Sequence, residues 1–168
     1  LNILAKQPFL VLILGAFISY LAHSSLAVIL LTVSLAEVGV LDLQASLFMV
    51  LGANIGSGLL PVIAHWHSSA VARVPLVANV YVRLFGVAIA AVIILLAWPL
   101  PQFGFDAKAL PLLLHLVLNM AVAVIGILGT KIWISLATAS ILEDANNVDE
   151  VQPKHLDASA HGTPSIAL

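Results

Sequence analysis

The chain has 168 residues, of which 62% are hydrophobic and only 8% are charged. Soluble domains carry roughly 25% charged residues, so this composition indicates an all-α, multi-pass membrane protein. A net charge of −2 argues against nucleic acid as a partner, and the lack of cysteine excludes a disulfide framework and a thiol nucleophile.

The first apolar run covers residues 8–36, which is longer than the about 20 residues that one membrane-spanning helix needs. Its middle contains Ser19, His23, Ser24 and Ser25. Polar groups at that depth are rare without a functional reason. Two interpretations stay open: one long tilted helix, or a re-entrant hairpin of two short helices, which we favour.

The second run, residues 43–64, has the length of a single span but contains several residues that weaken a helix. They are Gly52, Asn54, Gly56, Gly58 and Pro61. Each interior glycine costs a helix about 1 kcal/mol relative to alanine, and proline removes a hydrogen-bond donor. We therefore predict a broken helix here. The alternative is that Gly52 and Gly56 form a small-xxx-small face where two helices approach closely.

The third run is predicted as a helix over residues 74–98, with Asn79 and Arg83 on one face because they are four residues apart. Arg83 could supply positive charge to an anion or extend toward the membrane interface, and we favour the second interpretation.

The fourth run, residues 110–133, repeats this pattern with His115 and Asn119. Such pairs could line a site or simply form hydrogen bonds between helices. After residue 140 the composition becomes polar, so we expect residues 141–168 to be a tail leading toward a further domain. The chain begins with Leu rather than Met, and we expect it to be a fragment of a longer protein.

Lysine and arginine set the predicted orientation. Either interpretation of the first run places the 65–73 loop and the tail on the same side, and that side carries more Lys and Arg. The positive-inside rule then predicts that the tail is cytoplasmic, in a bacterial inner membrane or other plasma membrane.

The polar breaks favour a transport site. A helix that starts at mid-membrane directs unpaired N–H groups and a positive dipole end at an anion, and Ser24, Ser25 and Ser57 can assist it. Carbonyl groups freed by unwinding, together with Asn54, would suit a small cation. Secondary transporters bind substrate and coupling ion in this way. An enzyme is not expected, because His23 and Ser24 are adjacent on the chain and cannot face each other on a helix.

Two motifs in this order resemble the sodium/phosphate cotransporter family. Residues 22–27 read AHSSLA and residues 51–57 read LGANIGS, similar to the family's QSSS and GANIGTT motifs. Residues 84–87 resemble the helix that follows in the family, and residues 114–119 resemble its HxxFN helix. Residues 153–168 are similar to the join that leads, in bacterial members, into a PhoU-like domain.

The resemblance implies that residues 1–140 form the second of two inverted repeats, and that phosphate and sodium bind between the repeats. The partners would be phosphate, sodium, the lipid bilayer, and an upstream repeat or a second copy. No cofactor or resident metal is implied. The implied substrate- and ion-binding residues are His23, Ser24, Ser25, Asn54, Gly56 and Ser57. A second tier of possible binding residues comprises Arg83, His115 and Asn119.

Four positions depart from the family pattern. His23 replaces Gln, Leu26 replaces the last Ser, Gly58 replaces the second Thr, and Arg83 stands where Asn is usual. Two oxygen ligands are lost and an imidazole is gained at these positions. Transport of another anion coupled to protons is therefore kept as an alternative. A non-transporting membrane scaffold or regulatory subunit is the alternative from another class.

Overall fold

A computed structural model describes residues 7–98 and 109–145, and the regular secondary structure within those ranges is entirely helical. The predicted all-α polytopic membrane class is therefore confirmed. Residues 146–168 of the predicted tail lie outside the described residues, whereas residues 141–145 are helical rather than part of a tail. The six helices are α1 (Pro8–Ala22), α2 (Ser25–Glu37), α3 (Leu43–Ala64), α4 (Ala70–Leu96), α5 (Leu110–Leu128) and α6 (Thr130–Ala145).

The first apolar run forms a helical hairpin. His23 ends α1 in the left-handed conformation (φ 53°), and the Ser24 hydroxyl caps α2 by accepting a hydrogen bond from the Ala27 amide at 3.2 Å. With 15 and 13 residues, the two helices are about 20 Å long, too short to cross the roughly 30 Å hydrocarbon core. The long-helix alternative is excluded by this break.

Helix α1 packs along α3 in the same direction. The Phe9 ring lies 5.9 Å from the Phe48 ring, and one turn before its C-terminal end α1 places the Ser19 hydroxyl 2.9 Å from the Ala53 carbonyl oxygen. Because α1 and α3 run parallel, α2 must return the chain between them.

The prediction of a broken helix at residues 43–64 is wrong, because α3 is continuous from Leu43 to Ala64. A Cβ atom at Gly52 would collide with the Leu12 carbonyl group, and one at Gly56 would collide with that of Ala16. The glycines thus permit backbone-to-backbone packing of α1 against α3, as the small-xxx-small alternative proposed. Unwinding would leave backbone groups without partners in an apolar medium, so the intact helix is favoured.

Helix α3 is the centre of the structure. Over an apolar stretch of 18 residues, 61% of α3 is buried inside the protein, against 28% of α4 and 17% of α5. Residues 45–54 are buried without interruption, which shows that α3 is covered on all sides there. Length and hydropathy make α3, α4 and α5 the three described helices able to cross a membrane.

Two predicted boundaries differ from the structure. Helix α4 begins at Ala70 rather than at residue 74, because Pro75 removes a single backbone donor and the helix continues past it. The fourth run does not continue to residue 133: α5 ends at Leu128, and α6 starts at Thr130 after Gly129. Helix α6 then packs on α4, where the Trp133 ring lies 5.5 Å from the Phe85 ring.

Candidate functional site

Polar side chains from the three long helices meet at one level. Asn54 is the twelfth of the 22 residues of α3, while Arg83 and Asn119 are the central residues of α4 and α5. Ser57 and His115 are the next polar residues on their own helices along the same faces. We call Asn54, Ser57, Arg83, His115 and Asn119 the central polar cluster.

Asn54, His115 and Asn119 form the hydrogen-bonded part of the cluster. Asn54 is 2% exposed, and its side-chain carbonyl accepts a hydrogen bond from Asn119 Nδ2 at 2.9 Å. Asn119 Nδ2 also lies 2.8 Å from the His115 carbonyl oxygen and 3.1 Å from His115 Nδ1. Asn119 Nδ2 also lies 3.4 Å from His115 Nε2, so its two hydrogens face four neighbouring atoms and these contacts compete.

Arg83 extends from α4 onto α3. Its Nη1 donates to the Asn54 backbone carbonyl at 3.2 Å and lies 3.5 Å from Ser57 Oγ, while its Nε is buried with no partner among the described residues. The predicted extension of Arg83 to the membrane interface is therefore not what the structure shows. The reason is depth: thirteen residues of helix, about 20 Å, separate Arg83 from either end of α4.

No carboxylate in the membrane-spanning sequence neutralises Arg83. The segments 43–64, 70–96 and 110–128 contain no Asp and no Glu, and neither does the hairpin before residue 37. A cation at mid-membrane without an acidic partner is costly, since charges at this depth are normally paired or lie beside water or a ligand. The cluster is thus an electropositive site.

A cavity of about 450 Å³ adjoins the cluster between α4, α5 and α6. Its volume falls within the roughly 300–1,000 Å³ range of small-molecule sites. It is lined by Ala78, Asn79, Val82, Arg83, Asn119, Val122, Ala123, Gly126, Ile127, Thr130, Trp133 and Ile134. Its polar groups lie mainly around Arg83, Asn79 and Asn119, which are hydrogen-bond donors suited to an oxyanion.

The cavity reaches the cluster from one side only. Its α4 residues lie between Ala78 and Arg83 and its α5 residues between Asn119 and Ile127, which is the half of each helix nearer the 65–69 loop. The other half contains an apolar core that includes Leu47, Phe48, Leu51, Val87, Ile94 and Leu118, and a second, apolar cavity of about 290 Å³ between α4 and α5. The polar cavity is one-sided in the sense that it extends from the cluster toward the 65–69 loop.

The hairpin tip is separate from this cluster. Ser19 lies at the level of Ala53, so His23, Ser24 and Ser25 lie about one turn farther along α3. His23 is exposed, and the Ser24 hydroxyl is used to cap α2. Within the described ranges, no hydrogen bond joins the tip to the cluster.

Gly56 also lies outside the cluster, because it faces the backbone of α1. The structure thus brings together Asn54 and Ser57 with the second-tier residues Arg83, His115 and Asn119. Two further residues belong with them: Asn79, which lines the cavity, and Gly58, where a Cβ atom would lie 2.6 Å from Arg83 Cδ. In the sequence, the four-residue spacing from Arg83 indicated that Asn79 belongs with it. For Gly58 the only indication was that it replaces the second Thr of the family motif.

The chain is similar in sequence to known proteins over most of its length. A model of the Na+/Pi-cotransporter family matches residues 1–98. The chain is 31% identical over 158 residues to a protein of Escherichia coli O157:H7 named "Putative inorganic phosphate export protein YjbB". A protein of the same name from Salmonella typhimurium is 29% identical over 161 residues. Each match covers 93% of this chain but only 29% of the relative's length. No solved structure matches the chain.

Proposed function

Because this chain belongs to the Na+/Pi-cotransporter family, we propose that it provides part of a transport pathway for inorganic phosphate. The relatives are named for phosphate export, and a family of transporters favours a non-enzymatic role. In this proposal the central polar cluster binds phosphate from the one-sided cavity.

The observation that carries the proposal is the cationic Arg83 at the midpoint of α4, next to a cavity and without an acidic residue in the spans. A phosphate ion entering the cavity would neutralise this charge. Arginine is suited to the role, because its planar group donates several hydrogen bonds to phosphate oxygens. Asn79 would donate a further hydrogen bond from the same lining.

The complete pathway requires a second repeat, since the substrate site of such transporters lies where two repeats meet. We propose that this repeat comes from the same protein or from a second copy of the chain, in inverted topology. Sodium, the cation in the family's name, is the proposed coupling ion, and Ser24 and Ser25 at the hairpin tip offer it hydroxyl ligands.

The proposed location is a bacterial inner membrane, with the 65–73 loop and the C-terminal segment in the cytoplasm. Arg73 and Lys131 lie toward the side to which the cavity extends, and positive residues favour the cytoplasmic face. The cluster would then be open to the cytoplasm, which is the side from which an exporter takes its substrate.

The test is flux of labelled phosphate in vesicles that contain the full-length protein, with sodium and pH gradients imposed separately. Arg83→Ala should lower phosphate flux by about tenfold or more, because losing a hydrogen-bonded charge partner costs about 2 kcal/mol. Arg73→Ala is the matched control: Arg73 lies in the first turn of α4 and packs on Trp66, away from the cluster. Equal flux in both variants, or no phosphate flux from the folded wild-type protein, would contradict the proposal.

A further inference from the structure

The oxygen atoms that α3 presents to the cluster are already occupied. The Asn54 backbone carbonyl accepts from Ser57 Oγ at 3.2 Å and from Arg83 Nη1 at 3.2 Å. The Asn54 side-chain oxygen accepts from Asn119 Nδ2 at 2.9 Å. Since α3 is continuous, no unwound segment frees other carbonyl groups there. A small hard cation prefers such oxygen ligands, and here it would have to displace Arg83 from the Asn54 backbone carbonyl and Asn119 from the Asn54 side-chain oxygen.

Gly58 creates the space that lets Arg83 reach these oxygens. A Cβ atom at position 58 would lie 2.6 Å from Arg83 Cδ and 3.3 Å from its Nε. A residue larger than glycine at position 58 would therefore force the arginine side chain to shift from this position. Gly58 and Arg83 are both departures from the family pattern, and the contact makes them one structural unit.

We propose that Arg83 is a tethered cation that takes the place of a bound metal cation at the central polar cluster. The role of this cation in transport rests on the proposed phosphate function. Whether Arg83 occupies the place of a metal cation can be tested without measuring transport. The guanidinium group supplies a positive charge that stays with the protein and does not cross the membrane with the substrate. Sodium coupled to flux is then bound elsewhere, at the hairpin tip or on the second repeat.

The test measures the thermal stability of the purified full-length protein in detergent, in sodium chloride and in choline chloride at equal concentration. Arg83→Ala removes the arginine contacts to the Asn54 backbone carbonyl and to Ser57 Oγ, while Gly58 keeps the space open. This variant should gain a sodium-specific rise in Tm of about 3 °C beyond that of the wild type. Arg83→Lys, which keeps the charge, and Arg73→Ala, which is remote, should show the wild-type difference between the two salts.

Arg83→Gln is the second variant, because it keeps more of the side-chain volume if Arg83→Ala does not fold. An additional sodium-specific stabilisation in either variant supports the tethered cation. The same difference between sodium and choline in wild type, Arg83→Ala and Arg83→Gln would overturn it. If the phosphate proposal is wrong, the wild-type protein shows no phosphate flux. The comparison of thermal stability in sodium and choline can still be made in that case.

Discussion

Substitution of Gly52 by alanine tests the packing of the hairpin on α3, because two physical effects predict opposite signs. In a helix interior, alanine is more favourable than glycine by about 1 kcal/mol. If α3 were unwound or freely exposed at Gly52, the substitution would therefore stabilise the protein or leave it unchanged.

The structure predicts the reverse. A Cβ atom at Gly52 would meet α1 backbone, including the Leu12 carbonyl carbon at 2.8 Å and the Ala16 nitrogen at 2.9 Å, where ordinary contacts are 3.4–4 Å. Backbone atoms cannot rotate away, and the Leu12 carbonyl oxygen is closer still, so α1 would have to move off α3 by about 1 Å or more, which forfeits about half of each dispersion contact. Overpacking of this kind lowers the free energy of unfolding by about 1–3 kcal/mol. Because the clash is with backbone, Gly52→Ala should lie at or above the upper part of that range. The gain of about 1 kcal/mol in helix propensity is then subtracted from this cost.

The assay is reversible unfolding of the full-length protein in mixed detergent micelles, followed by helix content. Gly126→Ala in α5 is the matched control, because its Cβ atom would lie 3.7 Å from the nearest Val82 methyl group, an ordinary contact. We expect Gly52→Ala to lower the free energy of unfolding by about 1–2 kcal/mol and Gly126→Ala to leave it equal or higher. A Gly52→Ala protein as stable as wild type would refute the close packing of α1 on α3.

Three other substitutions probe the hairpin and the cluster. Ser19→Ala should lower the free energy of unfolding by about 1 kcal/mol, because its fully buried hydroxyl bridges two helices, whereas Ser140→Ala breaks only a bond within α6 and should cost less. Asn79→Asp would put a carboxylate one turn from the cluster's arginine, where it competes with phosphate and should raise the phosphate concentration for half-maximal flux by about tenfold. Protonation of His115 makes both ring nitrogens donors and breaks their contact with the Asn119 amide, so phosphate flux should change toward acid pH in wild type; His115→Gln should flatten that profile in a flux assay, and His23→Gln should leave it unchanged. A profile that changes only in His23→Gln would assign the titration to the hairpin tip instead.

Composition and run length were sufficient to predict the membrane class, the hairpin and the approximate positions of the long helices. Those features depend on local apolar length, which is readable from a single sequence. The intact α3 was not predictable from its own residues. Gly52 and Gly56 weaken an isolated helix, and only the backbone of α1 packed against them shows why they are there.

The central polar cluster was only partly predictable. Four-residue spacing correctly paired Arg83 with Asn79 and His115 with Asn119 on their own helices, but it could not show that both pairs face Asn54. That convergence depends on how α4 and α5 rotate against α3. The direction of the Arg83 side chain was missed for the same reason, since the space it uses belongs to another helix, at Gly58.

The glycine contacts between α1 and α3 also determine which parts of the molecule can move. Backbone packed on backbone has no flexible side chains to rearrange, so we expect α1 and α3 to move together. The contacts of α3 with α4 and α5 at the cluster are made by side chains, through Arg83 and Asn119, and can exchange partners. For the proposed transport function, we therefore expect rocking to occur at this second boundary and to require release of Arg83 from Asn54.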